Sequence, residues 1–151
     1  MASAAPENTI ALAADHAGVA LKARLKRELE KRGHAVLDLG PMDESSVDYP
    51  DYGHKLARAI EQGQASRGVA ICGTGIGITI AANRHPKIRA GVAWNIETAR
   101  LVREHNDANV LGLGARQVDP EMAVAMLNVF LDTPFAGGRH AGRVAKLGRT
   151  E

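Results

Sequence analysis

The sequence GVAICGTGIG occupies residues 68–77 and is followed at once by the apolar run ITIAA at residues 78–82. A short β-branched run that breaks into alternating glycines and resumes as an apolar segment predicts a strand, a tight loop and a helix N-terminus. Glycines permit close backbone approach, and the first amides of a helix have no acceptor within the helix. The stretch therefore predicts a strand–loop–helix unit that can hold an anion.

The only cysteine of the chain, Cys72, stands where this strand ends. Thiols beside helix N-termini ionise more readily than free cysteine, which makes them usable bases or nucleophiles near neutral pH. A lone cysteine can equally be an inert, buried apolar residue, but the adjoining glycine loop favours a functional role. One cysteine allows no internal disulfide, so we expect a cytoplasmic, reducing environment.

Length and composition predict one globular unit. The chain has 151 residues, 45% hydrophobic and 24% charged, and no run of 18 apolar residues. We expect residues 1–8 to form a loose N-terminal tail without signal-peptide features, and residues 9–151 to form a single α/β domain. A net charge of +2 and only five aromatic residues (two Phe, two Tyr, one Trp) argue against nucleic acid as a partner. A membrane is not an expected partner either.

Strand and helix patterns alternate five times along the chain. Strands are predicted at residues 9–14, 34–39, 68–72, 88–93 and 110–113, and helices from 19 to Gly33, from 52 to about 63, from the glycine loop to about 85, at 96–105 and from 119 to 131. This order implies a three-layer α/β/α Rossmann-like (flavodoxin-like) fold with a five-stranded parallel sheet and a C-terminal helical extension. The basic residues of the first helix are predicted on a solvated face: Lys22, Arg24, Lys26, Arg27, Lys31 and Arg32.

The last of these five helices is apolar all round. Its body, residues 122–131, carries Asn128 as its only polar side chain. A helix without a polar stripe is covered on more than one side, and a second copy of the chain is the economical cover. We predict a homodimer through this helix; the alternative is burial by the chain's own tail.

Polar residues follow the first strand at the edge where open α/β sheets bind ligands, and Asp15 and His16 are candidates there. Asp15 could equally be an N-cap with His16 in the first turn. Tyr49 could bring a phenol to the site, although a tyrosine beside a proline more often packs. Arg139 and Arg143 share a face if the tail is helical and could clamp a phosphate, or they could simply decorate a helix end.

Three common motifs are not met. A dinucleotide fold carries G-x-G-x-x-G after its first strand, whereas here the glycine loop follows the third strand. A nucleotide P-loop has Lys-Ser or Lys-Thr after its last glycine, where this chain has Ile78-Thr79. No Cys/His set has zinc spacing. The sequence thus indicates neither a nucleotide cofactor nor a metal.

Six ordered blocks carry a more specific signal: DHAG (15–18), DYP (48–50), CGTGIG (72–77), AAN (81–83), HNDAN (105–109) and GGRH (137–140). Together they closely resemble ribose-5-phosphate isomerase type B, in a sugar-phosphate isomerase family that includes galactose-6-phosphate isomerase subunits. The resemblance runs in register from about Thr9 to Val144. It implies an aldose-ketose isomerase of the pentose phosphate pathway that interconverts D-ribose 5-phosphate and D-ribulose 5-phosphate through an enediolate, without metal or other cofactor.

Two alternatives remain open. Within the same pattern, a hexose 6-phosphate (allose or galactose 6-phosphate) is the runner-up substrate, and the bulk of Trp94 mildly favours a pentose. A non-catalytic phosphosugar- or nucleotide-binding module would need the arginines and the glycine loop but no reactive thiol.

The implied reaction moves a proton between C2 and C1 of the sugar, so it needs one base that reaches both carbons. Cys72 as a thiolate would serve. Some relatives instead carry a glutamate a little later in the loop, where this chain has Ile78, so Cys72 has no substitute. The enediolate oxygen needs hydrogen-bond donors, each worth about 10²–10³ in rate, and the candidates are the Thr74 hydroxyl and the amides of Gly73, Gly75, Ile76 and Gly77.

The resemblance assigns roles outside the loop as well. Opening of the furanose ring calls for a second acid or base, the family role of His105, with Asp15 positioned to bind or polarise sugar hydroxyls. The remaining implied contacts are to the phosphate, by His16, Arg116, Arg139 and Arg143, and to the sugar, by Tyr49 and Asn106.

His105 raises a geometric problem. It ends the fourth predicted helix just before the fifth strand begins, at the sheet edge opposite Cys72. A strand of five or six residues separates those edges by about 17–20 Å. We therefore expect a homodimer, or a dimer of dimers, in which His105 completes the active site of a neighbouring subunit.

Overall fold

Five parallel strands form a single sheet in the computed structural model, which describes residues 6–150. The strands are β1 (Thr9–Ala14), β2 (Ala35–Asp38), β3 (Arg67–Cys72), β4 (Ala90–Val92) and β5 (Val110–Gly114). The helices are α1 (Val19–Lys31), α2 (Tyr49–Glu61), α3 (Ile76–Asn83), α4 (Ile96–Glu104), α5 (Pro120–Asp132) and α6 (Arg139–Leu147). The predicted α/β fold with a C-terminal helical extension is confirmed.

The strand order is β2-β1-β3-β5-β4. A flavodoxin-like sheet has the order 2-1-3-4-5, so the last two strands are exchanged here. Strand β3 lies at the centre, and five of its six residues are buried, as expected for a parallel strand covered on both faces. The exchange matters for the site, because it sets the end of β5 directly beside Cys72.

Helices cover both faces of the sheet. On one face α1, α4 and α5 enclose a core that includes Leu25, Leu111 and Phe130. On the other face α2 and α3 pack together over a smaller core that contains Leu56 and Ile78. No buried residue occurs in α6, which makes it the most peripheral of the helices.

The cover of α5 corrects one expectation. This helix packs between α1 and α4, and Ala123, Met126, Leu127 and Phe130 are buried in the core of its own chain. The polar stripe is missing because two neighbouring helices and the sheet surround α5. Neither a second chain nor the C-terminal tail is needed to cover it, so the reason for placing a dimer interface there was wrong.

Lys22 corrects a second expectation. The prediction put it on the solvated face of α1, but only 3% of its side chain is exposed. Its ammonium lies 2.6 Å from Oδ1 of Asp38 at the end of β2, and the same oxygen accepts the amide of Gly40. A buried lysine requires a charged partner, and the next strand supplies one.

Element boundaries shift modestly. Helix α2 begins at Tyr49, three residues earlier than predicted, and β4 is limited to the three residues that pair with β5. Of the predicted N-terminal tail, residues 1–5 lie outside the described residues; Pro6–Asn8 form one 3-10 turn, and the Asn8 amide donates to the carbonyl of Gly33. Among residues 6–150 no helix is long and apolar enough to cross a membrane.

Candidate active site

The carboxyl ends of β1 and β3 meet at the point where the strand order reverses direction. Ala14 is in register with Ile71, and the amide of Asp15 donates to the Ile71 carbonyl at 2.9 Å. Asp15 therefore lies beside Cys72, one strand spacing away. Open α/β sheets bind ligands in the crevice at such a switch point.

Asp15 is buried, and its Oδ1 accepts the amide of Ala17 at 2.9 Å. It thus caps the 3-10 turn His16–Gly18, as one of the two interpretations predicted. In the same turn, Nδ1 of His16 accepts the amide of Val47 at 3.2 Å. That bond leaves Nε2 as the ring nitrogen that carries a proton in the neutral imidazole, so His16 can offer a donor to a ligand.

The glycine loop folds around the thiol. Cys72 is 5% exposed, and the amide of Gly75 donates to its Sγ at 3.2 Å. Gly75 has φ +79° and caps α3 in the left-handed conformation, where a Cβ would lie 2.7 Å from the carbonyl carbon of Leu113. The amide of Ile76 donates to Oγ1 of Thr74 at 3.1 Å. The loop thus directs backbone donors at the sulfur and at the threonine hydroxyl beside the crevice.

Two more predicted residues lie against the loop. A Cβ added at Gly73 would be 2.7 Å from Nη1 of Arg116, so the guanidinium rests on the loop backbone. A Cβ at Gly77 would be 2.5 Å from the ring of Tyr49. These glycines therefore make room for a cation and a phenol, and we call the assembled set the carboxyl-edge group: Asp15, His16, Tyr49, residues 72–77 and Arg116.

A second set of predicted residues assembles at the opposite edge of the sheet. His105 is the C-cap of α4, and its ring stacks on that of His140 in α6, with centroids 4.3 Å apart and planes 16° from parallel. A cavity of about 250 Å³ opens beside them. We call the residues that line it the amino-edge group: His105, Asn106, His140 and Arg143, with Val144 and Leu147.

The amino-edge group is rich in positive charge. The pKa of His140 lies below its ordinary value, because burial disfavours the charged ring and because His105, Arg139 and Arg143 repel a further proton; Glu104 acts in the opposite direction. Such a concentration of cations suits a dianionic phosphate.

Arg103 holds the turn that carries His105. Its side chain is buried, and Nη1 donates to Oδ1 of Asp107 at 2.9 Å and to the carbonyl of Ala108 at 2.7 Å. Its Nε donates to the carbonyl of Thr133, at the end of α5. Asp107 has φ +49°, so the buried arginine secures a turn in the left-handed conformation. The same arginine ties this turn to the chain that leads into α6.

Two asparagines of the six sequence blocks form hydrogen bonds with the backbone. Both amide atoms of Asn83 bond the backbone of Ala90, which satisfies part of the edge strand β4. Asn109 accepts the amide of Arg89 and donates to the carbonyl of Lys87. These residues fix β4 against α3 and β5 rather than lining the carboxyl-edge group.

Residues 10–147 match the Ribose/Galactose Isomerase family. The chain belongs to this isomerase family. It is similar to the structure of ribose-5-phosphate isomerase B from Clostridium thermocellum, with a TM-score of 0.91, 49% identity, and coverage of 93% of this chain and 95% of that one.

Two further relatives of the isomerase family bear on the substrate. Ribose-5-phosphate isomerase B from Escherichia coli is 42% identical over 135 residues, which are 89% of this chain and 91% of that protein. The Mycoplasma genitalium enzyme, a ribose-5-phosphate isomerase B solved with bound ribulose 5-phosphate, has a TM-score of 0.89 and 36% identity, and the match covers 93% of this chain and 94% of that one.

The isomerase fold thus separates the predicted residues into two groups at opposite edges of one chain. Arg139 stands at the start of α6 beside the amino-edge group. Sequence reasoning did not select His140 as a site residue, although it closes the GGRH block. A signal was available, because His140 and Arg143 are three residues apart and share a helix face.

Proposed function

We propose that this chain interconverts D-ribose 5-phosphate and D-ribulose 5-phosphate by metal-free proton transfer through an enediolate. The observation that carries the proposal is the thiol of Cys72 at the switch point, with the amide of Gly75 donating to its sulfur and Asp15 at its side. Membership of the ribose/galactose isomerase family supports the same reaction.

The proton moves within the carboxyl-edge group. The Cys72 thiolate removes the proton from C2 of the open-chain aldose, and the electron pair of the broken C–H bond forms the C1–C2 double bond of the enediolate. The electrons of the C1 carbonyl pass to O1, and the hydroxyl proton of O2 is transferred to O1. Return of the carbon-bound proton to C1 then leaves the carbonyl at C2 and gives the ketose. Negative charge develops on oxygen in between, where amides of the loop and the Thr74 hydroxyl stabilise it.

The phosphate is held from two sides. His16 and Arg116 belong to the carboxyl-edge group, whereas Arg143 belongs to the amino-edge group and Arg139 lies beside it. A phosphate bound by all four requires both groups to face one crevice. Within one chain the length of the strands keeps them about 17–20 Å apart.

A homodimer resolves this separation. Helix α3 carries the glycine loop at its N-terminus, and Asn83 at its C-terminus lines a cavity with Asn106 of the amino-edge group. Ile76 and Ile80, one turn apart on α3, are 56% and 59% exposed. A two-fold axis through this face packs two copies of α3 antiparallel and sets the partner's His105 near Cys72.

The exposed isoleucines thus suggest an interface through α3 instead of α5. The dimer is the smallest unit with a complete site, and a dimer of dimers satisfies the same geometry. In each site His105 from the neighbouring subunit opens the furanose ring, while Tyr49 and Asn106 contact the sugar. A functional thiol must stay reduced, so we propose a cytoplasmic enzyme.

The first experiment measures conversion of ribose 5-phosphate to ribulose 5-phosphate by the wild-type protein and by Cys72→Ala, with a chelator present. We expect a wild-type rate that survives chelation and falls by about 10²–10⁴ when the base is removed. A wild-type protein that is inactive here and on hexose 6-phosphates would contradict the proposal, and retained affinity in Cys72→Ala would then indicate a binding module.

The second experiment tests the shared site by mixing two inactive variants. Cys72→Ala keeps His105, and His105→Asn keeps Cys72. After dissociation and random reassembly, about a quarter of all sites combine an intact Cys72 with an intact His105 if the two come from different subunits. The mixture then regains that share of wild-type activity. No recovery, in a mixture shown to exchange subunits, means that each chain builds its own site.

A further inference from the structure

The ring of His140 lies face to face with that of His105, at a centroid distance of 4.3 Å and an interplanar angle of 16°. The two residues belong to different helices, since His105 caps α4 and His140 lies in the first turn of α6. Offset or parallel stacking at this distance is a favourable arrangement of flat rings. It also removes much of the freedom of an imidazole at a helix end.

Charges around the pair come from both helices. Arg139 and Arg143 of α6 and the ring of His105 disfavour a proton on His140, and they lower its pKa together with burial. On α4, Glu104 acts on His140 and Glu97 interacts with His105, and both carboxylates are also engaged by Arg100. Burial and the neighbouring cations therefore lower the pKa of His140 and favour its uncharged form.

We propose that His140 is a positioning residue, whose ring holds His105 by stacking so that the imidazole of His105 can exchange a proton with the ring oxygen of the sugar. This inference rests on the proposed function of His105 in ring opening. His140 itself neither takes the proton nor binds the phosphate; its contribution is the flat surface behind His105.

The placement explains why a neutral partner suits this role. A ring-opening acid changes its charge in each turnover, and a second charged group at 4.3 Å would oppose every protonation of His105. A neutral ring fixes the orientation without that repulsion. Misplacement of a catalytic group by about 1 Å can cost about 10² in rate.

The test compares His140→Phe, which keeps a flat ring but no nitrogen, with His140→Ala, which removes the ring. We measure kcat and KM for ribose 5-phosphate and, separately, deuterium exchange at C1 of ribulose 5-phosphate in D2O. Ribulose 5-phosphate cannot close a furanose ring because its C5 oxygen carries the phosphate, so its exchange requires the base but no ring opening.

We expect His140→Ala to lower kcat on ribose 5-phosphate by about 10-fold or more, with KM and the exchange rate little changed, and His140→Phe to restore kcat to within about threefold of wild type. The acid limb of the pH profile should be the same for His140→Phe and wild type, since the proposed role needs the flat ring of His140 and not its nitrogen atoms.

A second readout, which does not depend on turnover, reports on the stacking itself. Proton NMR of the His105 ring should show an upfield ring-current shift in wild type and in His140→Phe that is lost in His140→Ala. Equal losses of kcat in both variants, or no loss in His140→Ala, would overturn the inference. A rise in KM in both would instead make His140 a phosphate ligand. If the wild-type protein does not isomerise ribose 5-phosphate, the proposed function is wrong, and so is the role of His140 that rests on it.

Discussion

The carboxyl-edge group and the amino-edge group differ in what holds them. The first lies on strand ends in the centre of the sheet, where backbone pairing of β1, β3 and β5 fixes Asp15, Cys72 and Gly114 side by side. The second consists of a helix end and the face of α6, a helix without a buried residue. One group is built by the core of the chain, the other by its surface.

This difference teaches where each part of the reaction depends on assembly. In the proposed mechanism, the residues for proton transfer are ordered within one chain, because the same hydrogen bonds that form the sheet also place the thiol and the loop. In the proposed dimer, the residues for ring opening reach the substrate only because a second chain supplies them. Proton transfer and ring opening should therefore respond separately to substitution.

The largest effect is expected in how Cys72→Ala and His105→Asn change two activities, ribose 5-phosphate turnover and deuterium exchange. Loss of the base should lower both ribose 5-phosphate turnover and C1 deuterium exchange of ribulose 5-phosphate by about 10²–10⁴. Loss of His105 should lower turnover of the cyclic aldose but leave exchange of the open-chain ketose near the wild-type rate. Equal losses of both activities in His105→Asn would mean that His105 takes part in the proton transfer itself, and that the two groups do not serve separate steps.

A second prediction probes the order of the glycine loop. Gly75 and Gly63 have nearly the same backbone conformation, with φ +79° and +76°, but a Cβ on Gly75 meets the backbone of Leu113 at 2.7 Å whereas a Cβ on Gly63 meets nothing within 4 Å. Gly63→Ala should therefore lower the free energy of unfolding by only about 1–2 kcal/mol, the cost of a left-handed backbone with a side chain, and keep full activity.

Gly75→Ala adds a collision with β5 to the same backbone cost. It should displace the donors of the loop and lower kcat by about 10² or more, measured beside the melting temperature of both variants. If Gly75→Ala and Gly63→Ala prove equal in kcat, the close approach of the loop to β5 does not matter for catalysis.

The third prediction concerns the support of the amino-edge group. Arg103→Met leaves Asp107 and two backbone carbonyls without their buried cation, so the free energy of unfolding should fall by about 2–4 kcal/mol in urea titrations. Arg100→Gln is the matched control on the same helix, since Arg100 is far less buried than Arg103 and forms ion pairs with Glu97 and Glu104 near the surface. That variant should melt almost as wild type does. A stable Arg103→Met protein would contradict the assigned role of this arginine.

The smallest effect is expected at the proposed interface. Ile80→Glu puts like charges close together across the two-fold axis, and we expect the dimer dissociation constant to rise by at least about tenfold, with activity that falls on dilution. Ala23→Glu, at an exposed position of α1 on the other face of the sheet, should change neither. Sedimentation velocity over a dilution series compares the dissociation of the two variants. If Ile80→Glu dissociates no more readily than Ala23→Glu, the interface does not lie on α3.

Local patterns carried most of the fold prediction. The burial of β3 and the glycines after it follow from residues that are neighbours in the chain, and so do the cap at Asp119 and the helical spacing of α1. The prediction was wrong where burial depends on distant partners. Lys22 is buried because it forms an ion pair with Asp38 at the end of the next strand, and α5 lacks a polar stripe because α1 and α4 flank it.

For the site, the sequence by itself selected the residues of the carboxyl-edge group, because its thiol, glycines and capping aspartate follow directly from where strands end. It also placed His105 at the far edge of the sheet, since alternation of strands and helices fixes which ends share an edge. Only the tertiary structure decided that β5 lies beside β3 and that His140 stacks on His105. Those contacts join residues about 35 or more positions apart, and no spacing within a single element encodes them.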